Sequence, residues 1–332
     1  MRIARIVSPA LVLFFLSPVI GELLSGSAPP AEFFNPLGFI MLAVLYGGGA
    51  LLVRELTHRW GKGWGALLIL GAAYGIAEEA LMCKSFFDAG WMDLGPLAGY
   101  GRWLGVNWVW AIELTAYHAA VSIAIPIVLV NLLFPARRGR SWVSRRKLVV
   151  LFGLWVANAV VIFLLISRYR PPVAHYLTAL AVTAALCIFA WRLPKGALVA
   201  RRGSGRAAHP FWFLLIGFAG TFGWFFLVWV VPQTRVPATV TLGLMVLLLV
   251  VITWTVLRLS GGGRLPDQHR LALVSGALGF FILLAPLQEL DKKRTDNTAG
   301  MTVVALAMLV FLLWIHRRIR RGEANPQSTI PG

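Results

Sequence analysis

The sequence predicts an all-α fold: a polytopic membrane helical bundle of about ten transmembrane helices. Three observations carry that prediction. Of the 332 residues, 58% are hydrophobic and only 13% are charged, where a soluble domain carries roughly 25% charged residues. Apolar runs of about twenty residues recur along the whole chain, each long enough to cross the hydrocarbon core of a bilayer. Basic residues crowd alternate loops, as expected of a chain threaded repeatedly through a membrane. The short alternating strands of a membrane β-barrel are absent from the sequence.

The predicted spans are 6–24, 36–53, 65–83, 106–134, 148–167, 173–191, 211–231, 237–257, 271–288 and 300–316. The first follows Arg2 and Arg5 in the manner of a signal peptide, but Glu22 and the length of the run favour a retained helix. Ser17-Pro18 predicts a kink just below Glu22. The second span carries Tyr46 and Gly47–Gly49, which admit a close neighbour, and ends at Arg54 and Glu55, read as inner anchors. The third places Gly71, Gly75 and Glu78 on one face, with Tyr74 beside them, so a neighbouring helix can approach closely there. Glu79 is rotated by about 100° from Glu78 if the helix is regular. The segment 84–105 that follows is rich in aromatic residues suited to the membrane interface. It is expected on the outer surface as an anchor, a lid or a re-entrant segment. The long fourth span puts Asn107, Ala111, Leu114, His118 and Ser122 on one face, with Glu113 and Tyr117 on another. Spans five to eight are almost free of ionisable groups. The two cysteines, Cys83 and Cys187, fall in separate spans, so no disulfide framework is implied.

Loop charge gives the topology. With the N-terminus in the cytoplasm, 23 of the 31 Lys and Arg residues fall on the cytoplasmic side. This predicts a cell-membrane protein with both termini cytoplasmic. The net charge of +18 is thus a topology signal. Contact between the cytoplasmic loops and anionic lipid headgroups follows from it, whereas basic groups scattered over loops do not suit nucleic acid. The predicted organisation is a polar four-helix core, 1–134, which includes the outer interfacial loop 84–105. A basic cytoplasmic loop, 135–147, leads to a six-helix apolar portion, 148–316. Residues 317–332 form a basic and then flexible cytoplasmic tail. No internal repeat is visible, since the eighth span lacks the acids of the third.

The acids concentrate in the first four spans. Carboxylates within a span are costly, face the bundle interior and mark a candidate site. Glu78 and Glu79 are adjacent, so they repel and favour sharing a proton, a state useful to a general base or acid. His118 is the only histidine within the interior of a span. These three are the candidate catalytic residues. Glu22, Tyr74, Lys84, Asn107, Glu113 and Tyr117 are the candidate supporting residues. The alternative places both acids at the outer headgroup level, paired with Lys84 or Arg102, and leaves His118 as a bonding partner between helices. No phosphate loop, HExxH or CxxC motif is present. The spacing calls for no metal, and the cofactor stays unknown.

The stretch AEEALMCK followed one helix later by ELTAYH resembles the CAAX-protease and bacteriocin-processing family of intramembrane glutamic proteases. That family carries paired glutamates in an EExxxR motif, then FxxxH, then a third histidine motif. The resemblance implies that Glu78 or Glu79 activates water and that His118 supports the transition state. Departures are Lys84 in place of an arginine one position earlier, Leu114 in place of the aromatic, and no third motif. The functional expectation is a membrane-embedded, protease-like hydrolase acting on a membrane peptide or a lipid-like molecule. The alternatives are a proton- or cation-coupled transporter or channel, or a non-enzymatic membrane scaffold or sensor.

Overall fold

The computed structural model describes residues 7–165, 168–195, 205–262 and 265–322. Arg2, Arg5, Arg201, Arg202, Arg264, Glu323 and the tail beyond 322 lie outside the described residues. Among the described residues, nine helices are long and apolar enough to cross a membrane, and a tenth, at the N-terminal end, is shorter. In chain order they are α1 Pro9–Leu24, α2 Pro36–Arg59, α3 Trp64–Cys83, α4 Trp108–Leu133, α5 Arg145–Leu165, α6 Val173–Arg192, α7 Pro210–Gln233, α8 Ala238–Leu259, α9 Asp267–Leu290 and α10 Met301–Arg320. The protein is a polytopic all-α bundle. Its only described strands are the two-residue β1 Arg102–Trp103 and β2 Val106–Asn107, paired antiparallel with Arg102 opposite Asn107.

Helix starts follow local chemistry. Ser8, Asn35 and Asn107 each accept a backbone N–H of the following first turn, and Pro9 and Pro36 occupy first-turn positions that need no donor. The start of α10 is capped from another helix: Glu289, at the end of α9, accepts from Gly300 N at 3.0 Å and Thr302 N at 2.7 Å. A carboxylate there satisfies free amides and complements the helix dipole.

Contacts at the helix ends show that successive helices alternate in direction. Gln288 at the end of α9 donates to Ser25 O beyond the end of α1, at 2.9 Å. At the opposite face Lys62 donates to Leu193 O, at 2.6 Å. We call the face where α1 and α3 end the distal face, and the other the proximal face.

Burial grades the helices. The apolar window of α4 is 78% buried, that of α3 67% and that of α2 50%, against 6% for α5. The helix that is apolar all round therefore sits at the periphery with its side chains outward, as lipid contact demands. Close crossings depend on glycine. A Cβ on Gly217 of α7 would lie 2.1 Å from Leu273 O of α9, and one on Gly276 of α9 would lie 1.9 Å from Leu214 O of α7.

The proximal ends of α2, α4 and α9 are tied by a buried ionic network. Arg54 pairs with Glu55, donates to Arg138 O at 3.0 Å and Arg140 O at 2.6 Å, and stacks 3.8 Å from the Trp142 ring. Glu55 also accepts from Trp142 N at 2.8 Å and meets Arg59 at 3.2 Å. Arg138 forks onto Asp267 at 2.8 and 2.6 Å. Arg54 and Glu55 are anchors here, and Arg138 of the basic loop is spent on protein contacts.

The distal segment between α3 and α4 is folded inward rather than spread on the surface. Phe86, Phe87, Leu94 and Leu97 are buried together with Val109, Trp110, Trp224 and Met245. Trp103, Leu104 and Met92 are its exposed large apolar residues. Aromatic composition suits an interfacial anchor and a packed cap equally well. Close packing of these rings against α7 and α8 selects the cap.

Candidate functional site

Each of the four helices α1 to α4 widens into a π turn, in the distal half of α1, α2 and α3 and at the middle of α4: Val19–Leu24, Ala43–Gly47, Ala77–Cys83 and His118–Ala124. These turns carry Glu22, Tyr46, the pair Glu78 and Glu79, and His118. A π turn bonds five residues back instead of four and recurs at functional sites. It also loosens backbone carbonyls, which must be satisfied within an apolar medium. Neighbouring side chains reach them here. The Ser17 hydroxyl lies 2.6 Å from Ser122 O and 3.1 Å from Tyr46 O. Tyr117 Oη donates to Gly21 O at 2.6 Å, Trp155 Nε1 to Leu45 O at 3.1 Å and Tyr176 Oη to Leu81 O at 2.7 Å.

Glycine lets the turns converge. A Cβ on Gly71 would lie 2.9 Å from Ala119 Cα, one on Gly49 2.1 Å from Tyr74 Cε2, and one on Gly21 2.9 Å from Tyr46 Cε1. Gly71 and Gly75 thus face α4, as the spacing in α3 predicts.

At the centre His118 lies between the two glutamates. Its Nε2 is 3.0 Å from Glu79 Oε1, and its Nδ1 is 3.6 Å from Glu78 Oε2 and 3.1 Å from Ser122 Oγ. All three residues are buried: His118 is 1% exposed, Glu78 2% and Glu79 8%. Glu79 is held on both oxygens, since Ser85 Oγ donates to its Oε2. Glu78 Oε2 has no hydrogen-bond partner. The rings of Tyr46, Tyr74 and Tyr117 pack around the imidazole at centroid distances of 5.8, 5.9 and 5.6 Å.

A regular α3 would turn Glu79 well away from Glu78. The widened turn changes the phase, and both carboxylates reach the same imidazole. The reading in which they lie at headgroup level beside Lys84 or Arg102 is not the arrangement found. Lys84 donates to Phe163 O at 2.7 Å and sits over the Phe163 ring at 4.5 Å. Arg102 donates to Phe87 O at 2.9 Å and to Asp88 O at 3.3 Å.

The other sequence candidates divide. Glu22 is bound by the Tyr46 hydroxyl and is only partly buried. Tyr74 is buried against His118, and its hydroxyl has no hydrogen-bond partner. Tyr117 packs against His118 although it was placed on a separate face, because it is the adjacent residue and its ring folds across the start of the π turn. Glu113 is buried with its Oε2 unpartnered. Asn107 serves the backbone: it caps α4 at Trp110 N, 3.1 Å, and donates to Leu97 O at 2.7 Å.

Residues outside the sequence candidates also contribute. Ser122 had a signal, since it stands one turn beyond His118 on the same face. Ser85 and Trp110 had none, because their contact joins the two ends of the distal cap, with Trp110 Nε1 donating to Ser85 Oγ at 3.1 Å.

Chemically, the centre offers a paired carboxylate and imidazole plus a second carboxylate with a free oxygen. One ligand atom from each of Glu78, Glu79 and His118 lies within 4.8 Å of the other two, a spacing that could also hold a cation.

Comparison with known proteins gives two similarities. An "Uncharacterized protein" of Archaeoglobus fulgidus is 28% identical over 125 residues, which is 37% of this chain and 38% of that protein's own length. No solved structure matches. A family model described as "Uncharacterized membrane protein family" matches residues 11–315. That match takes in α2 to α9 whole, the four π turns and both glutamates with His118, and the chain belongs to this membrane protein family.

Proposed function

We propose that the protein is a membrane-embedded hydrolase with Glu78, Glu79 and His118 as its catalytic group. The observation that carries this reading is the 3.0 Å contact between Glu79 Oε1 and His118 Nε2, beside a Glu78 oxygen left without a partner. In this reading Glu78 takes the proton of an attacking water. Glu79 orients His118, which stabilises charge developing on the substrate. The resemblance of AEEALMCK and ELTAYH to intramembrane glutamic proteases supports a peptide bond as the target. The substrate class is an apolar peptide or lipid-like molecule entering from the bilayer. The protein lies in the cell membrane with both termini cytoplasmic, and its exposed basic loops contact anionic headgroups.

The test uses the full chain in proteoliposomes with quenched fluorescent peptides that carry a bilayer-length apolar segment. Glu78→Gln, Glu79→Gln and His118→Asn are each expected to lower turnover by about 10²–10⁴-fold, the range for loss of a positioned acid or base, while folding as the parent does. Undiminished hydrolysis in all three variants defeats the reading.

A second reading is a proton- or cation-coupled transporter, favoured by the three ligand atoms within 4.8 Å. Cation or proton flux that disappears in Glu78→Gln, with no peptide hydrolysed by the parent protein, selects it instead.

A further inference from the structure

Glu79 owes its orientation to the distal cap. The π turn of α3 ends at Lys84, whose backbone is left-handed at φ 67°. That reversal folds the chain back over its own helix end. Ser85 N then donates to Glu79 O at 2.9 Å, and the Ser85 hydroxyl reaches Glu79 Oε2. Trp110, in the first turns of α4, donates its Nε1 hydrogen to the same hydroxyl at 3.1 Å. Asn107 N donates to Phe86 O at 2.9 Å and fixes the two ends of the cap together. Ser85 is fully buried and Trp110 nearly so.

The donor inventory makes this chain directional. An indole nitrogen only donates, and a serine hydroxyl has one proton to give. Ser85 Oγ receives the Trp110 hydrogen and gives its own proton to Glu79 Oε2. With Oε2 accepting from Ser85, Glu79 turns Oε1 toward His118 Nε2 at 3.0 Å. A single proton then lies between Glu79 Oε1 and His118 Nε2. When it is on nitrogen, the neutral ring presents Nδ1 as an acceptor toward the Ser122 hydroxyl at 3.1 Å.

We propose that Ser85, by occupying Glu79 Oε2, and Trp110, by fixing the Ser85 hydroxyl, are positioning residues that set the tautomer and orientation of His118. Ser85 acts through Glu79, and Trp110 through Ser85. The role rests on the hydrolase reading only for its effect on turnover. The tautomer is a property of the resting protein.

The experiment therefore has two arms on the full chain in lipid nanodiscs. In the first, ¹⁵N-histidine spectra are recorded, with the His118 signals identified by their loss in His118→Asn. The parent is expected to show the Nε2–H form. Ser85→Ala and Trp110→Phe are expected to show a mixture of Nε2–H and Nδ1–H forms, because Glu79 loses its donor in the first and the Ser85 hydroxyl loses its fixed direction in the second. Ser85→Thr keeps the hydroxyl and restores the parent spectrum. In the second arm, Ser85→Ala lowers kcat for the fluorescent peptides by about tenfold, the worth of one charge-assisted hydrogen bond, with KM unchanged. Parent-like His118 spectra in both Ser85→Ala and Trp110→Phe overturn the proposal. Should Ser85→Ala fail to fold, Trp110→Phe decides alone, since it removes the N–H and keeps an aromatic ring. Absent peptide hydrolysis by the parent protein defeats the hydrolase reading and leaves the spectral arm standing.

Discussion

A Cβ atom on Gly75 would lie 2.9 Å from the Cβ of His118 and 3.3 Å from the Cα of Thr115. The distance between α3 and α4 is thus set by a missing methyl group at the level of the site. Gly75→Ala is expected to push the helices apart, lengthen the contact between Glu79 and His118, and destabilise the protein by about 1–3 kcal/mol, the usual cost of overpacking. Gly153→Ala is the control, because nothing lies within 4 Å of a Cβ built there. Thermal unfolding in one detergent compares them, and equal Tm values would contradict the expectation.

Ser17→Ala removes the hydroxyl that reaches carbonyls of two π turns, Tyr46 O in α2 and Ser122 O in α4. A buried carbonyl left without a donor costs about 1–3 kcal/mol. Faster amide exchange is expected in 43–47 and 118–124, with 125–133 of α4 unchanged. Uniform loss of protection along α4 would assign Ser17 to general packing instead.

At the proximal face, Arg54→Met and Glu55→Leu each strand a buried partner. Each single variant is expected to lose about 3–5 kcal/mol, and the double variant less than their sum. A double-mutant cycle on chemical unfolding measures the coupling, and strict additivity would remove the pair from the account. The network lies across the bundle from the glutamates, so peptide turnover in surviving variants stays at the parent level.

The link between α9 and α10 carries a pH dependence. Arg294 hydrogen-bonds Asp296 and donates to Gly26 O at 2.8 Å, tying this link to the end of α1. The arginine holds the Asp296 carboxyl below its usual range. A depressed acid stabilises the fold above its unfolded value of about 3.9, and that contribution disappears as pH falls through the folded value. Pepsin cleavage at Leu290, the exposed start of this link, is therefore expected to rise on acidification below about pH 3.9. Asp296→Asn should be cleaved at its higher rate throughout. A parent and variant that share one cleavage profile from pH 2 to pH 5 would refute the link.

The spans were legible because their signal is additive: a run of about twenty apolar residues needs no partner to be recognised. The glutamates and His118 were legible for a related reason, since charge inside such a run stands out at once. Their mutual geometry was hidden. A period of 3.6 residues turns Glu78 toward the bundle and Glu79 aside, and only the π turn Ala77–Cys83 brings both to His118. Apolar letters do not announce a π turn. Ser85 was hidden twice over, behind a left-handed lysine and a tryptophan partner 25 residues away. The burial of Phe86 and Phe87 was unreadable because aromatic rings suit a membrane interface and a packed cap alike.

The π turns also bear on how these helices tolerate insertion and deletion. Each holds one residue more than a regular α-helix would place in that turn. Deleting Ala80 alone would let α3 close into an unbroken helix, the residues on either side keeping their facing while those of the turn itself return to steps of about 100°. The helix would keep its length and hydrophobicity while Glu78 and Glu79 lost their common target. A deletion at the exposed start of α5, at Val149, leaves the Trp155 and Phe163 contacts in place and exchanges one outward-facing side chain for another. Codon deletions in this gene should therefore be silent at exposed helix ends such as the start of α5 and damaging in the π turns of α1 to α4, a contrast invisible to any scale that scores substitutions alone.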